Sequence, residues 1–191
     1  RNIETSDHSK RTKHMMEKLC RQLQKQNIES YYLTEKQIRE LVQTAPLHDI
    51  GKVGIPDAIL LKPGKLEQQE ISIMREHVAK GVEALDYSIN EEEASISFIE
   101  TARELIASHH EWFDGSGYPV GIRKEDIPLS GRLMAVIDVY DALTSKRVYK
   151  EALSHEDAIM VMKQEADRHF DPVVFEAFLA VAHAFDRKQS S

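Results

Sequence analysis

Several things this chain lacks narrow what it can be. Its 191 residues include a single cysteine, Cys20, so no internal disulfide can close and no paired-cysteine zinc site can form. That fits a reducing, cytoplasmic setting. No apolar run approaches the length that crosses a bilayer, and no segment reads as a signal peptide. Positive charge is short as well, with 25 Lys and Arg against 32 Asp and Glu and a formal net charge of -7. An acidic chain is a poor partner for a nucleic-acid polymer, whose phosphate backbone rewards basic surfaces. If the substrate carries phosphate, the positive charge that meets it must be local, and metal ions could supply it. Sustained strand-like alternation and internal repeats are also missing.

What is present is helical periodicity over one domain's worth of chain. We expect an all-α fold, with a single domain over 1–186 and a polar tail over 187–191. Because the first residue is Arg1, a fragment of a longer regulatory protein is the expectation. Asp7 or Ser9 is placed to cap a first helix carrying Met15, Met16, Leu19 and Leu23. Thr34 and Gln37 form a capping box ahead of Ile38, Leu41, Val42 and Leu47, in a helix that runs into His48-Asp49. A Gly- and Pro-punctuated loop follows. One helix from about Glu67 to Asp86 then buries Ile71, Met74, Val78, Val82 and Leu85, with His77 in its middle. Glu91, Glu92 and Glu93 suit a solvated helix start, and Ile96 to Ile106 lead to His109-His110. From Asp114 to Pro128 the chain should be an ordered loop. A helix from about Leu129 to Thr144 is apolar nearly all round, which marks it as the central, buried one, and Asp138 lies inside it. Ser154 with Asp157, and Asp171-Pro172, open the last two helices.

The chemistry concentrates in a few of these places. A carboxylate such as Asp138 among Met, Val and Ile is costly unless it is paired or bound to metal. A single histidine on a helix is more often a satisfied core or surface residue than a ligand. Here, however, His48-Asp49, His77, His109-His110 and Asp138 recur at helix ends and within apolar stripes. Imidazole nitrogen and carboxylate oxygen without thiolate suit iron, manganese, zinc or nickel. A bridging Asp49 would hold two metals close together, and such a pair can stabilise the attacking and leaving oxygens of an in-line displacement at phosphorus. Lys52, four residues after His48, is placed to meet a phosphate oxygen.

His48-Asp49 with Gly51-Lys52, then His109-His110-Glu111, Asp114-Gly115-Ser116-Gly117-Tyr118-Pro119 and Asp138-Val139-Tyr140-Asp141-Ala142-Leu143, resemble the HD-GYP family. This is a branch of the HD-domain metal-dependent phosphohydrolases, and the resemblance runs from about Glu4 to Phe178. It implies an all-helical domain with an ordered Gly/Pro-rich substrate loop that hydrolyses cyclic di-GMP to pGpG and, in many members, to GMP in bacterial signalling. The metal ligands it implies are His48, Asp49, His77, His109, His110 and Asp138. Glu4 and His8 match the pair that holds a third metal in some members. It therefore implies two or three divalent ions, iron first, with manganese, zinc or nickel as alternatives. Asp49 and Lys52 are the implied catalytic residues, and Lys52, Tyr118, Asp141, Arg147 and Lys150 the implied substrate contacts. An upstream receiver or sensor domain is common in the family. Ser6, Lys124 and Val148 depart from its usual pattern without removing a ligand. Two other readings are hydrolysis of another cyclic dinucleotide, such as cyclic GMP-AMP, and non-catalytic sensing of cyclic di-GMP.

Overall fold

A computed structural model describes the chain over residues 6–88, 95–146 and 151–186. Glu4, Arg147, Lys150 and the acidic run Glu91 to Glu93 lie outside the described residues. Among those residues there is no strand; the order is α1 (Ser6–Gln26), α2 (Glu35–Thr44), α3 (Asp57–Leu60), α4 (Gln68–Arg75), α5 (His77–Ser88), α6 (Ile96–Ser108), α7 (Leu129–Thr144), α8 (His155–His169) and α9 (Pro172–Val181), with short 3-10 turns between.

Start signals in the sequence explain most of these boundaries. The Thr34 hydroxyl accepts the Gln37 N–H while the Gln37 side chain accepts the Thr34 N–H, so two otherwise orphaned donors are satisfied. Ser95, Ser154 and Asp171 cap α6, α8 and α9 through their side-chain oxygens. Asp7 and Ser9 fall inside α1, whose helical course has already begun at Ser6.

The expected single helix from Glu67 to Asp86 is two helices, and His77 opens the second instead of lying mid-helix. The break has a local cause. The Glu76 N–H turns tightly to the carbonyls of Ile73 and Met74, and the His77 ring Nδ1 takes the Met74 carbonyl at 2.8 Å. A side chain has entered the backbone ladder there. Likewise α2 stops at Thr44, and the chain reaches His48-Asp49 through a 3-10 turn, Ala45–Leu47, with Pro46 at its start.

The main core gathers one face of α1 (Met15, Met16, Leu19, Cys20, Leu23) with α2, α7 and α9. Helix α7 is its centre: Leu133, Met134, Val136 and Ile137 are fully buried. Each such side chain contributes about 1.5–3 kcal/mol by leaving water. Tyr31, Arg132 and Asp171 tie three distant parts together, with Arg132 and the Tyr31 hydroxyl both donating to the buried Asp171 carboxylate. A smaller cluster of Leu85, Ala102 and Ile106, with Leu47 and Val82 against it, seats α5 on α6.

Two glycines let backbones meet where the donors converge. A Cβ on Gly51 would stand 1.9 Å from the His77 carbonyl oxygen, so the loop after Asp49 lies directly on the start of α5. A Cβ on Gly131 would stand 2.0 Å from the Ser108 hydroxyl, so the end of α6 lies against the start of α7.

Candidate metal centre

Three histidines are held in the same way. The Nδ1 atoms of His48, His77 and His109 lie 2.8, 2.8 and 2.9 Å from the carbonyl oxygens of Ala45, Met74 and Ile106, each three residues back along the chain. A carbonyl can only accept, so Nδ1 carries the proton and Nε2 is the outward-facing nitrogen. This is the backbone support that metal-binding imidazoles commonly have.

The Nε2 atoms converge on Asp49. His77 Nε2 is 3.3 Å and His109 Nε2 4.0 Å from Oδ1, and His48 Nε2 is 3.4 Å from Oδ2. His48 Nε2 also lies 3.7 Å from Oδ1 of Asp138 on α7. The ring of His110 is 4.0 Å from that of His109 and 5.1 Å from that of His77. Donor atoms of Asp49, His77, His109 and His110 all fall within 4.8 Å of one another, as do those of His48, Asp49 and Asp138. Asp49 belongs to both groups, the position a bridging carboxylate needs.

The electrostatics fit a cation there. Burial lowers the pKa of His77, His109 and His110, that of His110 to about 4, so these rings are neutral near pH 7. Burial also opposes charge on His48, but Asp49 and Asp138 outweigh it and raise that histidine well above its ordinary value. Asp49 and Asp138 are held well below the usual carboxylate range by His48, despite their own burial. The buried Nε2 atoms of His77 and His109 and Oδ1 of Asp49 have no hydrogen-bond partner among the described residues. Lone pairs of neutral imidazoles facing an ionised carboxylate repel, and a shared cation is what turns that arrangement favourable. The donor set therefore suits divalent metal ions. Lys52 adds a fixed positive charge, its ammonium pairing with Asp49 Oδ2.

The Gly-Tyr-Pro loop closes one side. The buried Glu111 carboxylate accepts the N–H groups of Val120 at 2.8 Å and Gly121 at 3.0 Å, and the Asp114 side chain accepts the Ser116 N–H at 2.8 Å. Tyr118 stacks on His110 with ring centroids 4.7 Å apart, and Arg75, the last residue of α4, lies over the Tyr118 ring at 4.6 Å. The far end of the loop is anchored on α8, where the His169 carbonyl accepts Phe113 N–H and the Arg168 carbonyl accepts Asp114 N–H.

His8 and Asp141 sit beside this centre. The His8 ring is 5.4 Å from that of His48, and its Nδ1 is 2.7 Å from Asp141 Oδ2. Asp141 is buried, one turn after Asp138 on α7, and its carboxylate is turned to α1, where Arg11 donates to both of its oxygens at 2.6 and 3.0 Å. These bonds outweigh burial and hold Asp141 at about 2. Of the expected site residues, His48, Asp49, Lys52, His77, His109, His110 and Asp138 meet in one place, with Tyr118 and His8 against it. Arg11, Arg75 and the role of Glu111 were not anticipated. Arg11 follows His8 by three residues, which on a helix is the same face, and that spacing was the available signal.

Residues 4–174 match the family model described as HD domain. The chain is 48% identical over 185 residues to "Cyclic di-GMP phosphodiesterase" of Vibrio cholerae serotype O1, a match over 97% of this chain and 37% of that protein. It is 44% identical over 149 residues to "3'3'-cGAMP-specific phosphodiesterase 2" of the same organism, over 78% of this chain and 27% of that protein. It is also 44% identical over 147 residues to "Cyclic di-GMP phosphodiesterase response regulator RpfG" of Xanthomonas campestris pv. campestris, over 77% of this chain and 37% of that protein. The chain thus spans well under half the length of these relatives. No helix among the described residues is long and apolar enough to cross a membrane. With a helical frame, two donor groups sharing Asp49 and a family match over nearly its whole length, the chain belongs to the HD domain family, in its HD-GYP branch.

Proposed function

We propose that this domain is a metal-dependent phosphodiesterase that opens cyclic di-GMP to linear pGpG and carries on to GMP. The observation that carries the reading is the pair of donor groups joined through Asp49. When bound, two divalent cations would polarise the scissile phosphodiester and activate water for in-line attack. Iron is the first candidate for a nitrogen- and oxygen-rich site of this kind, with manganese next.

The chain's own groups do the rest. His77, His109 and His110 are neutral near pH 7 and present nitrogen donors. Asp49 joins the two groups, and Asp138 completes the second with His48. Lys52 is drawn toward Asp49 and stands ready to donate to a non-bridging phosphate oxygen as charge builds on it. Attack at phosphorus breaks the bond to the ribose 3′ oxygen, which takes up a proton as it leaves. Arg147 and Lys150 add positive charge for the dinucleotide phosphates in this reading. Asp141, expected at the substrate, also fixes His8 through Nδ1. Glu4 with His8 would then hold a third cation.

The names of two relatives bear on what surrounds this reaction. One acts on 3'3'-cGAMP, so a cyclic GMP-AMP substrate is the second reading. Another is a response regulator, in keeping with an upstream receiver or sensor domain. A cytoplasmic location belongs to the same reading, with Cys20 buried and reduced. The test is to load the protein with iron or manganese, add cyclic di-GMP and cyclic GMP-AMP in separate reactions, and separate pGpG and GMP chromatographically over time. No linear product from loaded protein would reject the reading. Faster opening of cyclic GMP-AMP would replace the first substrate with the second.

A further inference from the structure

We infer that Arg75 binds the phosphodiester of the substrate that is not being cut. The inference rests on the function proposed above. A cyclic dinucleotide carries two phosphodiesters. When one sits at the donor groups around Asp49, the second is left at the rim, where a cation on the Tyr118 side can meet it together with the charge that Arg147 and Lys150 add.

Arg75 is placed to be that cation. It is exposed at the C-terminal end of α4, two residues before His77, and makes no ion pair among the described residues. Its guanidinium is fixed 4.6 Å from the Tyr118 ring centroid, and Tyr118 in turn stacks on His110. Cation–π contact with a half-buried tyrosine holds the guanidinium plane without consuming its N–H donors, so the fork stays available for two phosphate oxygens at once. In an acidic chain such a local cation also draws a doubly charged substrate toward the centre.

A merely structural role is the alternative, in which Arg75 locks Tyr118 and thereby His110. Two substrates separate the two roles: cyclic di-GMP, with two phosphodiesters, and bis(p-nitrophenyl) phosphate, with one. In metal-loaded Arg75→Gln, KM for cyclic di-GMP should rise about tenfold, as expected for loss of one charge-assisted bidentate contact. KM for bis(p-nitrophenyl) phosphate should move far less, metal content should match the wild type, and Arg75→Lys should recover part of the loss. A parallel fall in kcat on both substrates, or a loss of bound metal, would show that Arg75 acts only through Tyr118 and would overturn the inference. So would an unchanged KM for cyclic di-GMP. Loaded wild-type protein that cleaves the single-phosphate ester but neither cyclic dinucleotide would bring down the functional reading underneath, and this inference with it.

Discussion

Replacing Asp49 by asparagine should uncouple metal from this protein more completely than any other single change. Asp49 is the member common to both donor groups, so its loss leaves His77, His109 and His110 on one side and only His48 and Asp138 on the other. The substitution keeps the side chain's size and removes one negative charge from both positions. Losing groups that merely orient a ligand costs about 10–100-fold in metal affinity, and loss of a bridging ligand should exceed that. The consequence can be worked through linkage. A metal at 100 times its Kd stabilises the native state by about 2.7 kcal/mol per site, so two filled sites give about 5 kcal/mol. At about 2–4 °C per kcal/mol for a chain of this size, wild-type protein should gain about 10–20 °C in Tm on loading.

The Asp49→Asn variant should lose most of that gain and bind clearly less than two metals per chain. Its phosphodiesterase activity should fall by about 10³-fold or more, since both halves of the charge stabilisation depend on the bridge. Calorimetry with and without manganese, alongside elemental analysis, measures the first two quantities. The difference between loaded and stripped samples is taken for each protein separately, so any change that the substitution makes to the stripped protein cancels. A variant that keeps two metals and the full thermal gain would refute the bridge and the mechanism built on it.

Three further outcomes follow from particular contacts. Gly51→Ala would drive a Cβ to 1.9 Å from the His77 carbonyl and 2.4 Å from the Gly81 nitrogen, both backbone atoms; forced overpacking of this kind costs about 1–3 kcal/mol, and urea unfolding with metal titration should show lower stability together with weaker metal binding. Asp171→Ala removes the buried partner of the half-buried Arg132 and the cap of α9, and should cost about 3–5 kcal/mol in chemical denaturation without a comparable loss of metal affinity in the folded protein. His169, stacked between Trp112 and Phe170, is lowered by burial to about 4. The unfolded chain takes up that proton near pH 6.5 and the native state only near 4, so its stabilisation is complete above 6.5 and drains away between 6.5 and 4, by about 3 kcal/mol in all. In metal-free protein His169→Phe should flatten the fall in Tm over that range; an unchanged slope would mean that other groups set the acid limit.

Where the sequence was legible, the deciding physics was local. The capping pairs Thr34 with Gln37 and Ser154 with Asp157, and the Asp171-Pro172 start, act within four residues, and each opens a helix where expected. The apolar stretch from Leu129 to Thr144 could only be a buried helix, and it is the centre of the core. Where the sequence misled or was silent, the deciding contact was either unusual or distant. Periodicity ran unbroken through Met74, Val78 and Val82, so nothing marked the break that the His77 ring makes by taking the Met74 carbonyl. That same bond is what orients the ring, so the mistake in the helix and the placement of the donor have one cause. Asp141 shows the distant case. The family resemblance offered it as a substrate contact, and nothing local in the sequence showed that α1 delivers Arg11 and His8 to it from 130 and 133 residues away along the chain. Only the closed bundle could reveal that pairing. A carboxylate that takes both arms of a guanidinium and lies 2.7 Å from an imidazole nitrogen fixes that histidine beside His48, so the packing of α1 on α7 reaches the donor groups through Asp141.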